Sequence, residues 1–380
     1  MELNAFISGC AGLALTDSER ALFAQARPCG LILFARNCKD PDQVRALVAS
    51  FREAVGSDEL LVLIDQEGGR VQRLRAPYWR EMPPARRYGL AYERDPERAK
   101  LAAFAGARLI AAELYDLGIN VNCTPVLDVP EAGAHEIIGD RAFSTDPDVV
   151  IALGRAVIEG TLAGGILPVI KHVPGHGRAH ADSHLDLPRI EASREALEAV
   201  DFRPFQALNA APLAMTAHVV LEAFDDLRPA TISPGIMGEV IRNLIGLKGL
   251  VMSDDLGMKA LRGPFADRAS AVIDAGCDVA LHCSGDFAEM EQVASAVPPL
   301  QGEALSRFER ARGFFRSPEP FAAEAALALV AEMTEIPVAS ASNGVELAGA
   351  GTIQRCKSTT GLTTATTLRS ARAIVSTSVC

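Results

Sequence analysis

LPVIKHVPGHGRAHADSHLDLP, residues 167–188, decides how this chain is read. Leu167 to Ile170 form a short apolar run of the kind a buried strand needs. The run gives way at once to Lys171, His172, Pro174-Gly175 and three more histidines at 176, 180 and 184. Four of the seven histidines fall in this one stretch, a density that packing alone does not call for. A loop bearing Lys, His and Asp directly after a buried strand is where α/β enzymes place their chemistry.

Similar apolar runs, bounded by Gly, Pro or Asn, recur on both sides. Strands are expected at 5–8, 30–35, 60–65, 119–127, 167–172, 213–220, 249–254 and 278–283. Helical spacing fills 17–27, 40–55, 96–117, 145–164, 193–209, 234–246, 265–276 and 285–297, and two closing helices follow at 301–316 and 319–334. Thr16-Asp17-Ser18-Glu19 is a capping sequence. Asp40-Pro41, Asp146-Pro147 and Ser233-Pro234 put proline in the first helical turn. Strand–helix alternation repeated eight times is the pattern of a (β/α)8 barrel of the TIM type. A doubly wound open sheet would gather its polar residues at one switch point, whereas here they follow many different strands. The expected organisation is an α/β single-domain barrel over residues 1–335. A poorly ordered, low-complexity tail, rich in Ser, Thr, Ala and Gly, is expected over 336–380.

Composition narrows the function. The 380 residues are 49% hydrophobic and 22% charged, enough for a sizeable core, and the net charge is −11. An acidic chain is not a general nucleic-acid binder, although a local pocket can still be basic. No apolar run is long enough to cross a bilayer. The eight cysteines show no CxxC pair and mostly sit in apolar runs, as small buried thiols in a reducing compartment do. Ile7-Ser8-Gly9-Cys10 has the look of a lipoprotein cleavage box, but what precedes it has Glu2 and no basic residue, so a first strand is preferred.

Several of the expected strand ends carry a candidate group. Asp65 ends the third strand, and Gly68-Gly69 lets the backbone turn close to a ligand. Asp65 can accept from vicinal hydroxyls and Arg73 can answer a polar group, or Asp65 caps the next element and Arg73 pairs with Glu67. Arg141 can reach over the mouth, or pair with Asp140. Lys171 and His172 can both donate to sugar oxygens or an acetamido carbonyl. Asp182, two residues from His184, can orient that imidazole and raise its basicity, a pairing suited to proton transfer near neutral pH. His218 is either a hydrogen-bonded wall residue or a ligand contact. Asp254 and Asp255 are adjacent carboxylates at the seventh strand end. One can serve as nucleophile while the other caps or holds a donor, and the residues alone do not separate them. His172, His176, His180 and His184 also repeat every four residues, as metal ligands on a helix would. Pro174, Gly175 and Gly177 argue against that helix, and no metal or other cofactor is expected.

Together IDQEGGRVQR (64–73), KHVPGHG (171–177), ADSH (181–184), MTAH (215–218) and SDDLGM (253–258) resemble the β-N-acetylhexosaminidases of glycoside hydrolase family 3, in the single-domain bacterial type that acts in peptidoglycan recycling. The resemblance covers roughly residues 3 to 335, with the motifs in the family's order after the expected barrel strands. It implies a retaining exo-β-N-acetylglucosaminidase with Asp254 as nucleophile, His184 as acid/base and Asp182 as its dyad partner. It further implies that Asp65, Arg73, Arg141, Lys171 and His172 bind the N-acetylglucosamine, with His218 beside them. Val173 stands where the family usually has Phe, and Gly257 where Ser is common; neither touches a catalytic role. Many family members add a second α/β domain that supplies a Glu acid, and an acid on the barrel's own loop agrees with its absence here. A small-molecule muropeptide substrate, a cytoplasmic setting and a monomer without nucleic-acid or membrane partners complete the expectation. The rival readings are a metal-dependent barrel hydrolase built on the histidine cluster and a catalytically inactive sugar-binding sensor.

Overall fold

A strand that is apolar on both faces needs cover on both, and a closed parallel barrel wrapped in helices supplies it. The computed structural model describes residues 2–131, 133, 137–179 and 187–338. Eight parallel strands close into one barrel, each beside its sequence neighbours and the last beside the first. They are β1 (Asn4–Ser8), β2 (Pro28–Leu33), β3 (Leu61–Ile64), β4 (Val121–Asn122), β5 (Leu167–Val173), β6 (Leu213–Thr216), β7 (Leu250–Asp255) and β8 (Val279–His282). The period-two alternation of a strand divides their side chains. Ile7, Leu63, Val169, Met215, Met252 and Leu281 fill the barrel. Phe6, Val62, Ile64, Ile170, Val251 and Ala280 point outward beneath the helices.

The expected start signals are in place. Thr16 and Glu19 form a reciprocal capping box ahead of helix Asp17–Ala26, a device worth about 0.5–2 kcal/mol. Asp40 and Asp146 cap helices Pro41–Val55 and Pro147–Ala163. Ser233 Oγ accepts from the Ile236 N–H.

Four local departures have physical causes. The expected strand 119–127 is regular only over β4, because Pro125 has no N–H to give to a ladder. The expected strand 213–220 stops at Thr216, and Val220–Leu221 pairs instead with Arg189–Ile190 across the barrel mouth. The sixth helical segment breaks into Arg194–Ala196, a π-helical stretch Leu197–Asp201, and Arg203–Ala207. A hairpin, Gln66–Gly68 with Val71–Gln72, and a helix, Ala85–Arg94, fill a region that carried no expectation. The expected tail lies, from residue 339 onward, outside the described residues. Among the described residues no helix is long and apolar enough to cross a membrane.

Candidate active site

The C-terminal ends of β3, β5 and β7 bring charged groups to one side of the barrel. Lys171, on β5, places its Nζ 2.8 Å from Asp65 Oδ1 and 2.7 Å from Glu67 Oε1. Arg73, returning along the hairpin, donates to Asp65 Oδ2 at 2.9 Å. Arg141 grips Glu67 with two parallel bonds, Nε to Oε2 at 2.9 Å and Nη2 to Oε1 at 2.8 Å. These five residues form one chain of alternating charge. Burial alone would raise both carboxyls. Lys171 and Arg73 outweigh it at Asp65, which is held well below the usual carboxylate range, and Arg141 with Lys171 holds Glu67 at about 2. Burial would likewise lower the Lys171 ammonium, but Asp65 and Glu67 hold it above its ordinary value. The alternative pairings weighed from sequence do not occur: Arg73 joins Asp65 rather than Glu67, and Arg141 joins Glu67 while Asp140 takes Arg70 at 2.9 Å.

Next along β5, His172 turns to Asp128. Its Nδ1 lies 2.7 Å from Asp128 Oδ2, and Asp128 Oδ1 accepts the backbone N–H of His176 at 2.7 Å. An ionised carboxylate only accepts, so Nδ1 carries the proton and Nε2 is the nitrogen left for a ligand. Burial pushes the Asp128 carboxyl up, and His172 and His176 more than reverse this. Burial also pulls the His176 imidazole down to about 4, against the pull of Asp128.

The two aspartates on β7 divide their work. Asp255 Oδ1 accepts from the N–H groups of Gly257, at 3.0 Å, and Cys283, at 3.1 Å, so its side chain ties the end of β7 to the end of β8. A Cβ at Gly257 would lie 3.0 Å from Asp255 Oδ2, so any side chain at this position presses on that tie. Asp254 accepts only the Asp255 N–H, at 2.9 Å, among the described hydrogen bonds to its side chain. Burial raises its carboxyl, but His172, His218, that N–H and Lys171 together hold it below the ordinary carboxylate value. His218 stands behind: Nε2 meets the Asp255 carbonyl at 3.0 Å and Nδ1 meets Thr231 Oγ1 at 2.8 Å. Both ring nitrogens are taken, as those of a hydrogen-bonded wall residue are.

Asp65, Arg73, Arg141, Lys171, His172 and Asp254 are thus gathered in one electrostatic neighbourhood. Asp182 and His184 lie outside the described residues, as does His180. Among the described residues no three His, Cys, Asp or Glu side chains stand together as a metal set. Glu67 and Asp128 were not singled out from sequence as site residues. A carboxylate two positions after Asp65 on a turning strand, and one closing the apolar run 125–128, were the available signals.

The barrel agrees with comparisons to known proteins. The model of the glycosyl hydrolase family 3 N-terminal domain matches residues 5–312. The chain belongs to glycosyl hydrolase family 3. It is a glycosidase, as that family is. A beta-hexosaminidase of Alkalilimnicola ehrlichii is 42% identical over 288 residues, which cover 75% of this chain and 82% of the relative. Among solved structures, NagZ of Neisseria gonorrhoeae, in complex with N-trifluoroacetyl-D-glucosamine, superposes with a TM-score of 0.79 at 30% identity, covering 88% of this chain and 99% of that one. A family 3 β-N-acetylglucosaminidase of a Paenibacillus strain gives 0.77 at 28% identity, covering 88% and 67%.

Proposed function

We propose that this family 3 glycosidase is a retaining exo-β-N-acetylglucosaminidase that releases terminal β-linked N-acetylglucosamine. The observation that carries the reading is Asp254, an ionised carboxylate at a barrel strand end whose neighbour Asp255 is spent on the scaffold. In the first step an Asp254 oxygen attacks the anomeric carbon. The bond to the glycosidic oxygen breaks, and that oxygen takes a proton from the His184 imidazolium, which Asp182 orients. In the second step His184 takes a proton from water, the water oxygen attacks the same carbon, and the ester to Asp254 breaks. Two inversions give net retention. An imidazole in place of the usual second carboxylate avoids like-charge repulsion beside Asp254.

The sugar's recognition groups follow from the free valences. Lys171 has a third N–H beyond those given to Asp65 and Glu67, and each Asp65 oxygen has a further acceptor site for a hydroxyl. His172 offers Nε2, and Arg73 and Arg141 supply the remaining donors. His218 acts by supporting Asp254. The natural substrates on this reading are 1,6-anhydro-N-acetylmuramyl peptides of cytoplasmic cell-wall recycling, which the motif resemblance supports. The catalytic unit is 1–335.

The test is nitrophenol release from an aryl β-N-acetylglucosaminide by the parent and Asp254→Ala, with the anomer of the first-formed sugar followed by NMR. Expected are turnover in the parent, its loss in the variant, and β-product ahead of mutarotation. An α-product first, or full activity in the variant, would overturn the mechanism. Affinity without turnover in the parent would favour the sensor.

A further inference from the structure

The stem 173–179, which leads from β5 toward Asp182 and His184, is fastened from outside the site. Arg178 donates through Nε to Asp201 Oδ2 at 2.7 Å and through Nη1 to Glu131 Oε1 at 2.6 Å. Glu131 also returns its backbone N–H to the Gly177 carbonyl, at 3.2 Å. Asp201 ends the π-helical stretch Leu197–Asp201, and its side chain is 1% exposed. Its Cβ lies 3.1 Å from where a Cβ on Gly175 would stand, so it also underlies the stem directly. A buried carboxylate is costly, and this one spends only one oxygen on Arg178; among the described residues Oδ1 has no partner. Asp201 and Arg178 belong neither to the charged chain at the mouth nor to the Asp254 support. A carboxylate placed for stability alone would be expected to satisfy both oxygens.

We propose that Asp201 is a positioning residue for the acid/base. It fixes Arg178 and so sets where the chain enters the segment that holds Asp182 and His184, four and six residues on. The inference rests on the proposed role of His184. General acid help matters most when the leaving group is poor, and an activated phenolate leaves without it. The expected signature is therefore a selective loss.

The experiment compares kcat/KM for a 2,4-dinitrophenyl β-N-acetylglucosaminide and for a methyl β-N-acetylglucosaminide, in the parent, Asp201→Asn, Arg178→Met and the double variant. The clamp predicts that each single variant loses about tenfold to a hundredfold on the methyl glycoside, the scale of a small misplacement, while staying within about threefold of the parent on the activated substrate. The double variant should be no worse than Arg178→Met, since that change already breaks the contact between Arg178 and Asp201. An unchanged ratio of the two activities would overturn the proposal, whatever the absolute loss, because a structural role lowers both together. If Asp201→Asn does not fold, Arg178→Met, made at the partly exposed end of the pair, decides alone. Failure of the underlying function looks different: the parent itself would be inactive on both substrates, or Asp254→Ala would retain activity.

Discussion

Replacing Glu67 with Gln tests whether the charged chain at the barrel mouth is held by this one carboxylate. Glu67 receives three bonds, one from Lys171 and two from Arg141, with side-chain exposures of 7%, 2% and 11% for Glu67, Lys171 and Arg141. A Gln amide oxygen in the place of Oε1 can still accept from Lys171 and from Arg141 Nη2, but it carries no charge, and the amide NH2 then faces Arg141 Nε. One of the three bonds is lost outright and the other two lose their ionised acceptor, where a charge-assisted bond is worth about 1.5–3 kcal/mol and a neutral one about 0.5–1.5 kcal/mol. The sum, about 3–6 kcal/mol, agrees with the roughly 3–5 kcal/mol typical of breaking a buried pair from one side. The assay is urea unfolding of parent and variant across pH. Glu67 has a folded value depressed to about 2 from an ordinary 4.5. Its contribution is therefore full above pH 4.5 and lost as pH falls from there toward 2. The gap between the two proteins should be flat from pH 8 to 5 and narrow below. Arg141→Met in the same chain should recover part of the loss by removing the stranded cation. A destabilisation under about 1 kcal/mol at pH 7, or a gap that widens on acidification, would refute the reasoning.

Three further outcomes are expected. Asp254→Asn should lower kcat on the order of a thousandfold or more, and because His172, His218 and Lys171 hold its carboxyl below the ordinary carboxylate value, the parent's kcat/KM should not fall through protonation of Asp254 as the pH drops from neutral into mild acid. Gly89→Ala should destabilise the fold by about 1–3 kcal/mol or more, since the new Cβ would stand 1.8 Å from the Phe143 carbonyl oxygen; an unchanged unfolding midpoint would contradict the packing described. Activity of the parent should survive EDTA, and its loss would move the histidine cluster into a metal site.

The barrel was legible because its signal is redundant. Eight apolar runs, several with polar residues at or just after their ends, and four capped helix starts point to one architecture. Asp65, Lys171 and Asp254 were legible for the same reason, since a charged residue directly after a buried run has only the barrel mouth to go to. Partner choice was not. Arg141 joins Glu67, 74 positions away, and leaves its neighbour Asp140 to Arg70. Adjacent residues on a 3-10 turn point in different directions, and which cation meets which carboxylate depends on chain entry angles that no local pattern encodes. The ends of β4 and β6 were overextended for a related reason. Val126, Leu127, Val219 and Val220 are buried, and burial alone reads as strand whether or not the backbone is laddered. The π-helical stretch before Asp201 leaves no mark in composition, so the fastening of Arg178 became visible only in three dimensions.

Asp65, Glu67 and Asp254 share one neighbourhood with Arg73, Arg141 and Lys171, and the Asp128 carboxylate stands close by on His172. A neutral sugar feels no long-range pull from such a set, so its KM should hardly respond to ionic strength. Esterification of Asp254 removes one member of that set. In the same step His184 gives up its proton, so the site loses one charge of each sign and its net charge does not change. The carboxylate that repels anions from the anomeric carbon is nevertheless gone, and azide or formate should intercept the intermediate in competition with water.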